Sequence, residues 1–342
     1  MSSTTPLDLM TRAASGRAFS EVEIEAALDV LMTPAATDVQ RGAFLMALRV
    51  RGETIAEITG AARALRARML RVSAPAGAVD IVGTGGDSHG TYNISTAASI
   101  VAASAGLVVA KHGNRSVSSQ SGASDVLTAL GVKVDIGPDE VASAIATAGI
   151  GFMWAPMHHP AMKLWAPSRA DLKIRTIFNV LGPICNPAGV SRQLVGVYDI
   201  GLVEPIAETL LKLGTERAWV VHGCDGMDEL TTTGPTRVAA LDDGAISVFD
   251  VTPEMAGLPT ARLADLKGGD AASNAEALRD LLAGAPGPYR DIVLLNAGAA
   301  LVIGDRAGSL ADGAAIAASA IDSGAARRTL DKLITATHQK AP

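Results

Sequence analysis

Val79-Asp80-Ile81-Val82-Gly83-Thr84-Gly85-Gly86-Asp87, followed by Asn93-Ile94-Ser95-Thr96 and an apolar run to Ala103, decides how the chain is read. A short β-branched run that empties into glycines and then into an apolar helix is a strand–turn–helix unit. Glycines let backbone N–H groups approach an anion, and the helix end adds roughly half a positive charge, so the unit is a candidate phosphate site. It is not a dinucleotide fingerprint, because Ser88 stands where the third glycine of GxGxxG belongs, and no GxxxxGK[ST] occurs.

Outward from this unit, β-branched runs at Leu107–Ala110, Val132–Ile136, Leu194–Tyr198 and Trp219–Val221 alternate with helical stretches. That rhythm predicts a mainly parallel sheet covered on both faces. TRVAALDDGAISVFDV, residues 236–251, reads as a hairpin around Asp243-Gly244 that adds antiparallel pairing at one side. Upstream there is no strand pattern. Three capping boxes, Ser20 with Glu23, Thr37 with Gln40 and Thr54 with Glu57, each lead into apolar residues at helical spacing. The segment from His158 to Pro187 breaks the strand–helix rhythm and has a helical pattern punctuated by prolines. After Ser273 the chain is Ala-rich and helical.

Composition narrows the function. The 342 residues are 48% hydrophobic but only 3% aromatic, with 35 glycines and a formal net charge of −6. A core of small aliphatic residues suits helices packed closely on a sheet, whereas single-stranded nucleic acid usually needs aromatic platforms. A polyanion must then be met by local cations or by a metal ion, against the field of the whole protein. The two cysteines, Cys185 and Cys224, and the lack of a charged-then-apolar leader make a reducing cytoplasm the expectation. The uncharged stretch 94–110 is interrupted by Ser95, Thr96, Ser99, Ser104 and Gly106, and reads as a buried helix running into a strand, so no membrane span is expected.

Three further segments carry chemistry. Lys111-His112-Gly113-Asn114-Arg115-Ser116-Val117-Ser118-Ser119 places donors just past the strand 107–110, where open α/β sheets bind ligands. Asp228-Glu229 follows the strand 219–221; in a loop, adjacent carboxylates can converge on one hard cation, and neither is expected in the core. His158 and His159 have no zinc spacing, and Arg169 suits either a surface position or a fork for a carboxylate.

Taken together these motifs resemble the anthranilate phosphoribosyltransferase family: GTGGD at 83–87, NIST at 93–96, KHGNR with paired serines at 111–119, HPAM at 159–162, RTIFNxLGPxxNPA at 175–188 and GxDE at 226–229. The likeness runs in order from about residue 20 to 335. It implies the fold of the type II nucleoside phosphorylases: a small helical domain, 1–73, joined in space by about 158–185, and a large α/β domain made of 74–157 and 186–342. It implies transfer of the phosphoribosyl group of 5-phosphoribosyl 1-pyrophosphate to anthranilate, in tryptophan biosynthesis.

By matching motif, Gly83, Gly85, Gly86, Asp87, Thr91, Asn93, Ser95, Thr96, Lys111, His112, Gly113, Asn114, Ser118 and Ser119 would hold phosphoribosyl pyrophosphate. Gly83, His112, Asn114, His159, Arg169 and Gly182 would line the anthranilate path. Two magnesium ions are implied, one on Ser95 and one on Asp228 and Glu229. Met162 and Gln120 stand where other members carry Tyr and Lys. No covalent nucleophile is required: an aromatic amine is neutral at pH 7, and an oxocarbenium-like transition state is served by positioning and electrostatics. A homodimer through the N-terminal helices is also expected, with no nucleic-acid or membrane partner. The alternatives are a pyrimidine nucleoside phosphorylase-like enzyme, which would phosphorolyse thymidine or uridine without magnesium, and a non-catalytic nucleic-acid-binding relative, which heparin would retain.

Overall fold

The computed structural model describes residues 4–115 and 121–339. The chain opens with helices α1 (Pro6–Ala14), α2 (Glu21–Leu31), α3 (Asp38–Arg51) and α4 (Ile55–Arg66). The three expected capping boxes are formed. A fourth, Thr5 with Asp8, starts α1, where the shorter aspartate still accepts the Thr5 N–H at 2.9 Å. Glu57 does more than cap. Fully buried, its carboxylate takes the N–H of Phe19, the N–H and hydroxyl of Thr54 and the Arg51 guanidinium, so one side chain joins three segments of the bundle. Glu57→Ala strands those donors and is expected to cost about 2–3 kcal/mol, read as a lower denaturation midpoint with an unchanged m-value.

Then follow β1 (Val79–Gly83), α5 (Ile94–Ser104), β2 (Val109–Gly113), α6 (Ala123–Leu130), α7 (Pro138–Ala148) and β3 (Ile150–Trp154). Short helices α8 (Ala155–His158), α9 (Ala166–Leu172) and α10 (Ile177–Ile184) come next, then β4 (Arg192–Gly196), α11 (Val203–Lys212), β5 (Arg217–Gly223), β6 (Thr236–Asp242) and β7 (Ala245–Val251). Helices α12 (Ala271–Leu282), α13 (Pro288–Ile303), α14 (Leu310–Asp322) and α15 (Ala325–His338) end the described chain. The sheet order is β3-β2-β1-β4-β5-β6-β7, parallel through β5 and antiparallel in the β6–β7 hairpin, which turns at Asp243-Gly244 as expected.

Two expectations are corrected. Val132–Ile136 is not a strand: after the left-handed Gly131 (φ 97°) the segment is a buried connection, with Val132 N–H on Leu127 O and Lys133 N–H on the Thr337 hydroxyl. Its alternating apolar residues mark burial, not pairing. The strand beside β2 is Ile150–Trp154, which follows another left-handed glycine, Gly149. The second correction concerns Lys111, His112 and Gly113, which lie within β2, paired with Phe152, Met153 and Trp154, not in the loop beyond it.

The faces of the sheet sort by period two. Val79, Ile81 and Leu194 pack in one core with residues of α5 and α13, whereas Val82, Val195 and Val220 pack on the other face with the N-terminal bundle and α10 and α11. Trp165, Phe178 and Leu181 share that second core with Phe44 and Leu45, and the Ser168 hydroxyl donates to Asp38 O at 2.8 Å. Among the described residues, no helix is long and apolar enough to cross a membrane. Because the chain runs β1 to β3 in one direction and restarts at β4 on the other side of β1, the topological switch lies between β1 and β4, and the crevice past their carboxyl ends is where such sheets bind ligands.

Candidate functional site

At the switch point the two strands end in register on glycines, Gly83 beside Gly196. A Cβ on Gly83 would stand 2.3 Å from Asp228 Oδ2, and one on Gly196 would stand 1.6 Å from Asp228 O. Asp228 therefore sits on a saddle that only two glycines can provide. Its carboxylate accepts the Gly85 N–H at 2.6 Å and a hydrogen bond from the Thr84 hydroxyl, whose oxygen in turn accepts the Tyr198 N–H. Gly85 and Gly86 hold the left-handed φ values of 65° and 79° that turn the loop over this acid. Asp228 is only 8% exposed, against the expectation that neither acid lies in the core. Glu229 is half-buried and accepts a hydrogen bond from the Ser95 N–H at the start of α5.

Burial, followed by the neighbouring charge of Asp87, pushes the Asp228 carboxyl up to about 6. Burial and then Asp228 itself push Glu229 well above the usual carboxylate range. Lys111 is the buried cation that offsets them. Its ammonium donates to Ile81 O, and burial lowers its pKa against the opposing pull of Asp80, Glu229 and Asp228. Asp80 is pushed up to about 6 by burial and anchors the floor of the site, accepting the His112 N–H at 3.1 Å and the Asn186 amide at 2.7 Å. Asn93 bonds Ser121 and Asn274, closing the mouth of α5. Thr96 is 1% exposed and its hydroxyl has no partner among the described residues, a buried donor in the first turn of α5.

A second group gathers against the other side of β2. His112 Nδ1 lies 3.0 Å from Gly182 O; a carbonyl can only accept, so Nδ1 carries the proton. His112 Nε2 faces His159 Nε2 at 3.3 Å. Burial lowers both rings, His159 to about 4, so they are neutral at pH 7. A side chain at Gly182 would meet open space, which marks room beside these rings. Arg169 lies over the Phe178 ring, 5.5 Å from its centroid, and pairs with no carboxylate among the described residues.

The structure thus brings Gly83, Gly85, Asp87, Ser95, Thr96, Lys111, Asp228 and Glu229 to one crevice, and His112, His159 and Gly182 to its neighbour. Thr91 forms an isolated bridge with Lys267 at the rim. Asn114 is exposed, its side-chain oxygen taken by the Arg115 N–H. Ser118 and Ser119 lie outside the described residues. Thr84, Asp80, Asn186 and Arg175 stand within the quoted motifs but carry no role in the sequence reading, and Gly196 and Lys267 are passed over; Lys267 and Arg175 donate to the carbonyls of His89 and Gly86 in the glycine loop. Gly196, in the middle of the predicted strand 194–198, was the signal available, since a glycine inside a strand pattern marks a close backbone approach.

Fold and site define a glycosyl transferase built from a helical bundle and an α/β domain. The model described as "Glycosyl transferase family, a/b domain" matches residues 76–327, and that described as "Glycosyl transferase family, helical bundle domain" matches residues 7–69. The anthranilate phosphoribosyltransferase of Parvibaculum lavamentivorans is 60% identical over 332 residues, 97% of each chain, and that of Rhodopseudomonas palustris (strain BisB18) is 58% identical over 97% of this chain and 98% of its own. The crystal structure of the Thermus thermophilus enzyme superposes with a TM-score of 0.92 at 40% identity, covering 97% of this chain and 100% of that one. The Saccharomyces cerevisiae enzyme in complex with PRPP and Mg superposes with a TM-score of 0.89 at 29% identity over 97% of each chain. The chain belongs to the anthranilate phosphoribosyltransferase family.

Proposed function

We propose that this protein transfers the phosphoribosyl group of 5-phosphoribosyl 1-pyrophosphate to the amino group of anthranilate, giving N-(5-phosphoribosyl)anthranilate and pyrophosphate. The observation that carries the reading is the crevice in which a glycine loop, a helix N-terminus and two adjacent carboxylates meet at the switch point of the sheet. Loss of anthranilate fluorescence on adding phosphoribosyl pyrophosphate and magnesium tests it; phosphorolysis of uridine without magnesium would instead favour a nucleoside phosphorylase.

The residues present fit magnesium. Asp228 and Glu229 are held together with raised pKa values and one buried lysine against them, an arrangement of hard oxygen donors that a divalent cation completes. We assign one ion to Asp228 and Glu229 and a second to the Ser95 hydroxyl. When bound, magnesium offsets the negative charge of the pyrophosphate leaving group. The chain's own part is positional: Gly83, Gly85 and Gly86 offer backbone N–H groups, and Asn93, Thr96 and the 111–119 segment offer side-chain donors to the phosphates. Neutral His112 and His159 with Gly182 border the acceptor, whose amine needs no strong base. The division at 73/74, with 158–185 packed on the bundle, belongs to the same reading and is supported by the shared core of Trp165, Phe178 and Phe44.

Arg169 is assigned to the anthranilate carboxylate. Burial lowers its pKa, so an anionic partner would be welcome there. Arg169→Ala should lower kcat/KM for anthranilate roughly 10- to 100-fold, the loss of a charged hydrogen bond of about 1.5–3 kcal/mol. Equal losses for both substrates would remove Arg169 from the acceptor site.

The homodimer is placed on the N-terminal helices, where Leu7, Val22, Val39 and Val50 are 56%, 75%, 81% and 81% exposed. Light scattering should give about twice the 34.8 kDa chain mass; a monomer at micromolar concentration counts against it.

A further inference from the structure

We infer that Asn296 is a positioning residue for the Asp228–Glu229 pair, with Asp225 bracing the same loop from its other end; the inference rests on the magnesium reading above. Asn296 lies on α13 and is fully buried, among neighbours such as Leu294, Leu295, Ala297 and Ala299 that are buried and apolar. A buried amide in such a stripe is costly unless its hydrogen bonds are made. They are made mainly to one residue of the loop that carries the two acids. Asn296 Oδ1 accepts the Leu230 N–H at 3.1 Å, and Nδ2 donates to Leu230 O at 2.8 Å and to Ile292 O at 2.9 Å. Both backbone polar groups of the residue after Glu229 are thus held by one side chain, as a neighbouring strand would hold them.

At the other end, Asp225 Oδ1 accepts the Met227 N–H at 3.1 Å, and Oδ2 takes the hydroxyls of Thr231 and Thr233 at 2.7 Å each. Met227 immediately precedes Asp228. The two anchors therefore flank the acids in a stretch without regular structure between β5 and β6. They are needed because two adjacent carboxylates, with Asp87 close by, repel one another and would push the loop open. Partners that orient metal-binding groups typically carry about 10- to 100-fold of the affinity.

The test uses Asn296→Ala and, as an independent variant at the other end, Asp225→Ala. Binding of Mn2+ in the presence of saturating pyrophosphate is followed by electron paramagnetic resonance of the free ion, and initial rate is followed against free magnesium. Folding is checked by thermal circular dichroism in EDTA. The expected result is a folded protein whose Kd for Mn2+ and half-activating magnesium both rise about tenfold or more, with KM for anthranilate unchanged. Folded variants with wild-type Mn2+ affinity overturn the inference, and if Asn296→Ala does not fold, unchanged affinity in Asp225→Ala overturns it alone. Wild-type protein that neither binds Mn2+ nor responds to magnesium removes the magnesium reading itself, and this inference with it.

Discussion

At saturating anthranilate and phosphoribosyl pyrophosphate, the Asp228→Asn, Glu229→Gln double variant is expected to lose roughly 10³-fold in rate at ordinary magnesium and to regain part of it at higher concentration. A protein of net charge −6 must accept a substrate with several negative charges, and two acids beside that substrate repel it unless a cation stands between them. The same variant carries a stability signature. Both carboxyls have folded pKa values above their unfolded ones, so the folded state holds more protons than the unfolded chain, for Asp228 between its ordinary 3.8 and about 6, with Glu229 shifted in the same direction. Stability contributed by protonation is present below that window and is lost as pH rises through it, leaving a penalty at pH 7 in metal-free protein. Neutral replacements lack the penalty, and Asn can still accept the Gly85 N–H. In EDTA at pH 7 the variant should therefore melt at or above the wild-type temperature, while magnesium should raise the wild-type Tm and leave the variant unmoved. Rate curves with the same magnesium midpoint and similar maxima for both proteins would return the pair to the status of a structural loop.

Much of this site is legible in the sequence because its pieces obey local rules. Capping boxes at Ser20, Thr37 and Thr54 state where helices begin, Asp243-Gly244 states where a hairpin turns, and the strand emptying into Gly83 states where an anion can be met. Legibility ends where a contact joins segments far apart in sequence. The alternation of Val132, Val134 and Ile136 records burial, the two valines in the core that holds α15 residues and Ile136 in the one that holds Val141 and Ile145 of α7, which periodicity cannot separate from strand pairing. Acidic residues in loops usually lie at the surface, which is the expectation for Asp228; that it lies under Gly85 depends on a hydrogen bond spanning 143 residues. Lys111 reads as a donor in a loop, yet its position inside β2 turns it toward Ile81 and the buried acids. The positions of Asn114 and Arg169 relative to a substrate rest on the resemblance, since among the described residues the side chain of neither bonds to another candidate residue.

The glycine pair gives the second large effect. Gly83 and Gly196 are neighbours across parallel strands, and Asp228 crosses above both. A methyl group on Gly196 would meet only backbone: Asp228 O at 1.6 Å, its carbonyl carbon at 2.3 Å and its Cα at 3.1 Å. No rotamer change can relieve that overlap, so the loop or the end of β4 must move. On Gly83 the nearest atoms are instead Asp228 Oδ2 at 2.3 Å and Cγ at 3.0 Å, which a side chain can partly evade by turning away from Gly85. Overpacking by a methyl group commonly costs about 1–3 kcal/mol, and backbone overlap places Gly196→Ala at or beyond the upper end. Displacing catalytic groups by about 1 Å costs roughly 10²-fold in rate. Gly196→Ala should therefore lower the denaturation midpoint and also lower kcat by about 10²-fold or more, whereas Gly83→Ala should keep most of its stability and lose activity with a raised magnesium requirement. Denaturant titration and rate against free magnesium separate the two. Wild-type stability and rate in Gly196→Ala would mean that Asp228 does not rest on β4, and the geometry of the whole carboxylate pair would have to be redrawn.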